Sequence, residues 1–197
     1  MRLKNSDLHP KIQVLIYPCL QAIDLNTPSY QAHGNSHLQL NAEDMADYYL
    51  LYATGNADYK SAMMANQHTS PEAKASAAAI FNSDTLPEEY VTSNYVKPDS
   101  GTGDPKIWDT IKDVLLDPSY APLMAKDLSG MPPAFVHTAG YDILRDDGIW
   151  YAQRLKDAGV ETEHLHVDVA FHGMFQTLAP EAKDLYNAAL HFIKTKL

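Results

Sequence analysis

Cysteine is almost missing from this 197-residue sequence. Cys19 stands alone, which rules out an intrachain disulfide framework and any zinc site built from several thiolates. Long apolar runs are scarce as well. The best, residues 14–20, is broken by Pro18 and falls far short of the roughly 20 residues that cross a bilayer. The opening MRLKNSDLHPK has no apolar centre of the kind a secretory leader needs, so the chain as written reads as soluble. Basic residues are in deficit, 15 Lys and Arg against 25 Asp and Glu, for a formal net charge of -10. No Lys/Arg-rich run reverses that field locally, which excludes nucleic acid as a partner. Internal repeats are also lacking.

What is present is an ordinary globular balance, 45% apolar and 20% charged residues, in a chain long enough to bury one substantial core. KIQVLIYPCL carries Val14, Leu15, Ile16 and Tyr17, a nearly continuous apolar run that predicts a strand buried on both faces and ended by Pro18. Residues 21–40 are polar and turn-rich and read as a loop. A helix is expected from Asn41 to Gly55, because Asp44 completes a capping-box-like start and Met45, Tyr48, Tyr49 and Tyr52 recur at helical spacing. Ser70 and Pro71 open a second, alanine-rich helix with little apolar surface. Residues 87–105 look irregular, and residues 107–116 suggest a further helix stopped by Pro118.

The last third is more regular. A second buried strand is expected over residues 134–138, ending at Gly140. A helix follows with Asp146 and Asp147 at its head, Ile149, Ala152 and Leu155 facing inward and Gly159 as its C-cap. VETEHLHVDV alternates as a third strand with Leu165, Val167 and Val169 on one side. Leu185, Ala189, Phe192 and Ile193 mark a closing helix. Strand, helices, strand, helix, strand, helix is the order of an α/β fold with parallel strands.

In open parallel sheets, ligands and chemistry gather beyond the carboxyl ends of the strands. Asp142 follows the second strand there and His172 the third. A carboxylate that takes the imidazole Nδ1 proton fixes the tautomer and leaves Nε2 as a base. The bland alternative for His172 is packing between Phe171 and Phe175. Asp146 and Asp147 compete as acids, although their place at a helix head favours capping and dipole stabilisation. His164 and His166, two apart on one strand face, have a metal-binding spacing but no third ligand. Cys19 lies just past a strand end without an activating environment, so a packed, inert thiol is expected. Tyr48, Tyr49, Tyr52, Trp108 and Trp150 are candidates for an acyl pocket, with core packing the safer assignment for each.

The segment PPAFVHTAGYDILRDDGIWYAQRLKDAGVETEHLHVDVAFHGMF resembles the C-terminal part of the arylacetamide deacetylase and neutral cholesterol ester hydrolase group. That group lies within the hormone-sensitive-lipase-like α/β-hydrolases. YDILRDDG at 141–148 and FHG at 171–173 carry the likeness, together with YAQRLKDAGV, APLMA, VLIYPCLQAIDLNTPSY, NQHTSPE and LPEEY, so it extends from about Ile12 onward. The resemblance implies a partial α/β-hydrolase fold: the last three parallel strands of an eight-stranded sheet, flanking helices, and a helical cap-like insert over residues 41–116 within one domain spanning 1–197. It makes Asp142 the triad acid and His172 the base. It further implies hydrolysis of small carboxylic esters or arylamides, neutral lipid esters included, through an acyl-serine, with no cofactor and no metal. Some members carry an N-terminal anchor in the endoplasmic reticulum membrane, and no such span occurs in this sequence.

The group places its oxyanion-hole HGG and its nucleophile elbow GDSAGG upstream of the first strand, and neither occurs here. The nearest imitation is GNSHL, where Leu38 stands in place of the glycine that an elbow around Ser36 requires. The chain is therefore expected to be a C-terminal piece that is inactive alone. The alternative is a truncated product or pseudoenzyme that binds a ligand or protein without turnover. Ala170 stands where the group often has glycine, so the His172 loop is expected to depart from the group's geometry if that position needs a positive φ.

Overall fold

The structure is a computed structural model, and it describes residues 9–36, 40–99 and 101–197. Three parallel strands form one sheet: β1 (Gln13–Ile16), β2 (Ala134–Tyr141) and β3 (Thr162–Phe171), with β2 in the centre. Helices α1 (Pro28–His33), α2 (Ala42–Thr54), α3 (Lys60–Met64), α4 (Pro71–Ala78) and α5 (Pro105–Leu115) fill the connection from β1 to β2. Helix α6 (Arg145–Asp157) joins β2 to β3, and α7 (Pro180–Lys196) closes the chain.

Local chemistry explains most helix ends. The Asn41 side chain accepts from the Asp44 N–H at 2.9 Å at the head of α2, and Gly55 ends that helix at φ +77. Ser70 caps α4 in the same way, with Pro71 in the first turn, where a missing N–H costs nothing. Asp104 caps α5, whose Trp108, Ile111 and Leu115 are buried at successive turns.

Side chains divide about the sheet. One core gathers Ala134 and Val136 of β2 with Ile149, Ala152 and Leu155 of α6 and the buried faces of α2 and α5. Helices α2 and α5, which lie within residues 41–116, thus contribute to this core. The other core joins Phe135 and Ala139 of β2 to Ala182, Leu185, Ala189 and Phe192 of α7. Every second residue of β2 turns to the opposite face, as the pleat requires.

Several expectations are corrected. β1 is only half buried along its length, because among the described residues β2 is its one sheet neighbour. Residues 21–40 contain α1, capped by Thr27 with Pro28 in its first turn. Met45 and Tyr49 of α2 are buried, whereas Tyr48 and Tyr52 are 59% and 76% exposed. On β3, Leu165 and Val167 pack against the α7 core, but Val169 is exposed. The cause is a break in register: Ala139 pairs with Val167, yet Tyr141 pairs with Phe171. At that bulge a Cβ on Gly140 would collide with the backbone oxygen of Asp168, so only glycine fits.

Candidate active site

The bulge lies just before the two strand ends and re-aims both. Asp142 is the first residue past β2, and His172 the first past β3. Asp142 Oδ2 accepts a hydrogen bond from His172 Nδ1 at 2.9 Å. Its other oxygen accepts from the Leu144 N–H at 2.9 Å and so locks the turn leading into α6. Asp142 is buried, while about 29% of the His172 side chain stays accessible. With Nδ1 donating to a carboxylate, the lone pair of the neutral ring sits on Nε2. Gly173 follows at φ +85 and turns the chain into a short 3-10 segment, Met174–Gln176. Ala170 is buried in the α7 core and is not at positive φ, so alanine suits that position.

The turn bearing Asp142 is held from the other side by the first turn of α6. Asp147 accepts from the Leu20 N–H and from Gln21 Nε2, both at 3.1 Å. Complete burial pushes its carboxyl up to about 7 against the lowering pull of those bonds. Asp146 accepts from the Ser29 N–H at 2.7 Å and from Arg145 Nε at 3.0 Å, and the Ser29 hydroxyl donates to the Ile143 carbonyl. Arg145 also donates to the Tyr90 carbonyl at 2.7 Å and lies over the Tyr90 ring. The capping role expected of the two aspartates is corrected: the cap of α6 is Leu144, with no side-chain bond. Both carboxylates are long-range clamps instead, keyed to the segment after β1.

His164 and His166 converge on one hydroxyl, each 2.8 Å from Thr138 Oγ1. Burial pushes the His164 imidazole down to about 4. Among the described residues no group of three His, Cys, Asp or Glu is disposed to hold a metal ion. Cys19 is exposed, and its Sγ donates to the Tyr49 hydroxyl at 3.1 Å. Desolvation pushes its thiol up to about 12, which leaves no thiolate at neutral pH. Ser36 comes just after α1 and not after a strand, and Leu38 lies outside the described residues. Tyr49, Trp108 and Trp150 are core residues, the last donating to Thr85 Oγ1, while Tyr52 stacks on Tyr120 at the surface.

Sequence reasoning passed over Gln21, Ser29, Arg145 and Tyr17 as parts of this cluster. Gln21 and Ser29 bond across more than a hundred residues and Arg145 reaches Tyr90 across 55, which leaves no local pattern. Tyr17 carries one local mark, a tyrosine directly before a proline at the end of an apolar strand.

A family model for the alpha/beta hydrolase fold matches residues 104–176, a span that includes Asp142 and His172. A solved α/β-hydrolase enzyme from the metagenome of Lake Arreo, Spain, superposes with a TM-score of 0.54 at 26% identity, covering 97% of this chain and 44% of its own. The chain has the α/β-hydrolase fold. It is similar to neutral cholesterol ester hydrolase 1 of Bos taurus, 43% identical over 168 residues that make up 83% of this chain and 40% of the relative. Arylacetamide deacetylase of Bos taurus is 36% identical over 188 residues, 93% of this chain and 45% of the relative. The chain therefore spans less than half the length of either of these curated relatives. No helix of its described residues is long and apolar enough to cross a membrane.

Proposed function

We propose that this chain supplies the acid and the base of a serine-type ester hydrolase, Asp142 and His172. The observation that carries this reading is the 2.9 Å bond from His172 Nδ1 to Asp142 Oδ2, made between neighbouring strand ends and with Asp142 buried. A serine hydroxyl brought to Nε2 would lose its proton to the imidazole as its oxygen attacks an ester carbonyl. Asp142 would stabilise the imidazolium, which then returns the proton to the departing alkoxide. Carboxylic esters, neutral lipid esters among them, are the substrate class that the names of the curated relatives support. Residues 41–116 act as the insert above the strand ends, a role supported by the Arg145 bond to the Tyr90 carbonyl. Neither HGG nor a G-x-S-x-G elbow occurs in the 197 residues. By itself the chain therefore provides neither nucleophile nor oxyanion donors, and turnover requires a serine-bearing segment.

That same absence supports a second reading, a binding module that retains the dyad without turnover. Two experiments separate the cases. The purified chain, given p-nitrophenyl butyrate and a fluorophosphonate label, is expected to show neither hydrolysis nor labelling; stoichiometric labelling of one of its own serines overturns the first reading. The chain is then joined behind the N-terminal portion of the Bos taurus cholesterol ester hydrolase that it does not span. Hydrolysis is expected, reduced on the order of 10³- to 10⁴-fold by His172→Asn or Asp142→Asn. A folded chimera without turnover favours the binding module.

A further inference from the structure

We infer that Tyr17 is the positioning residue that holds the His172 imidazole at its working angle. This rests on the reading of His172 and Asp142 as base and acid, and it adds a third member that touches neither substrate nor reacting atoms. Tyr17 is the first residue past β1 and one of two described non-glycine residues at positive φ, at +51. A tyrosine in the left-handed region is strained, and such strain persists only where surrounding contacts over-determine it. Those contacts come from the middle of β2 and from the loop after β3. The Tyr17 hydroxyl accepts from the Phe175 N–H at 2.9 Å, a bond that spans 158 residues of sequence. Its ring meets His137 of β2 edge-on at 4.7 Å and lies 5.2 Å from the His172 ring at a tilt of 47°. Tyr17 itself is 8% exposed. One side chain thus links the end of β1, the middle of β2 and the loop that follows β3.

The physical consequence is specific to His172. The Asp142 bond restrains the imidazole at Nδ1 only, and the ring remains able to swing with its loop. Gly173, at φ +85, gives that loop a flexible joint. The Phe175 tether fixes the far side of the joint, and the Tyr17 ring stands beside the imidazole at 5.2 Å and limits its swing on that side. Nε2 is then left with a single direction, the condition a general base needs.

The test uses the chain as it stands and needs no substrate. Amide hydrogen exchange and a long-range ¹H–¹⁵N spectrum of the imidazoles are recorded, above the imidazole titration range, for the wild type, Tyr17→Phe and Tyr49→Phe. Tyr49→Phe removes a different buried hydroxyl, the one bonded to Cys19, and serves as the control for general loosening. In the wild type the Phe175 amide is expected to exchange slowly and His172 to hold the Nδ1–H tautomer. In Tyr17→Phe, Phe175 exchange rises about tenfold or more and His172 becomes a mixture of tautomers, whereas Tyr49→Phe leaves His172 unchanged. A Tyr17→Phe protein with both signals unchanged overturns the inference. So does an equal response to Tyr49→Phe. If Tyr17→Phe does not fold, the wild type decides alone: a freely exchanging Phe175 amide, or no nuclear Overhauser contact between the Tyr17 and His172 rings, overturns it. A wild-type His172 that fails to hold the Nδ1–H tautomer sinks the acid and base reading instead, and so marks a different failure.

Discussion

Gly148 offers a sharp check on the packing that carries the site, because α6 presses tightly against β2 there. A Cβ built at this glycine would lie under 3.0 Å from Thr138 Cγ2, nearer than Cβ atoms pack, with Pro18 ring atoms at 3.6 Å on the other side. Gly148→Ala should favour the isolated helix by about 1 kcal/mol. Against that, overpacking a filled core costs about 1–3 kcal/mol. A second cost arises if Thr138 rotates away, since its hydroxyl is shared by His164 and His166 at 2.8 Å, and each lost bond is worth about 1 kcal/mol. The net expectation is a loss of about 2 kcal/mol, or a fall in Tm of about 4–8 °C for a chain of this size. Urea and thermal unfolding measure it. Thr138→Ser keeps the hydroxyl and removes the methyl group in the way, so alone it should cost about 1 kcal/mol. Combined with Gly148→Ala, it should recover most of the loss, because the new methyl occupies the vacated space. A Gly148→Ala protein as stable as the wild type, or two substitutions whose costs simply add, would refute the packing described here.

Acidification should unfold the chain between about pH 6.5 and 4. Burial pushes His68, His137 and His164 down to about 4 from 6.5, so below 6.5 the unfolded chain takes up protons that these folded imidazoles refuse, and stability falls. Asp147 works the other way, its carboxyl raised from 3.8 to about 7, so the folded form gains a proton as pH falls through that window. Burial also lowers His33 and His166 and raises Asp24, so five imidazoles stand against two carboxyls and leave a net loss on acidification; urea midpoints that rise from pH 7 to pH 4.5 would contradict this. His137, both of whose ring nitrogens are buried without a partner, dominates locally. His137→Phe should gain about 1 kcal/mol or more at neutral pH and soften the acid transition. Asn41→Ala removes the cap of α2, with its 2.9 Å bond to the Asp44 N–H, and should cost about 1 kcal/mol in thermal unfolding.

How much of this was legible depended on the range of the interaction. Caps at Asn41 and Ser70 and the end of α2 at Gly55 are local bargains between a side chain and its own backbone, and the sequence shows them. The same logic marks Thr27 and Pro28, but a short helix in a polar stretch leaves no apolar periodicity to confirm it. Burial is not local: an apolar run says that β1 wants two covered faces, and only the sheet order says that it has one neighbour. Val169 failed for a related reason, since strict alternation assumes an unbroken register and the bulge opposite Gly140 breaks it. The order of Asp142 and His172 after successive strands was readable. That Asp146 and Asp147 reach back to Ser29 and Leu20 was not, because those partners are 117 and 127 residues away.

These distant bonds share an origin, and this bears on what the chain lacks. The turn bearing Asp142 is held by Asp146 and Asp147 through Ser29, Leu20 and Gln21. The loop bearing His172 is held by Tyr17 through the Phe175 amide. All four anchors lie within residues 17–29, the stretch that follows β1, so one segment sets the relative position of both catalytic candidates. Every bond in that arrangement is made within the described residues, and the dyad needs no further strand to bring its two members to 2.9 Å. An inactive chain would then be inactive for want of a serine and its oxyanion donors, not because the acid and base had come apart. A chimera that restores the serine should for that reason find its base already aligned, and a dyad that orders only after the added segment docks would place the origin of that alignment elsewhere.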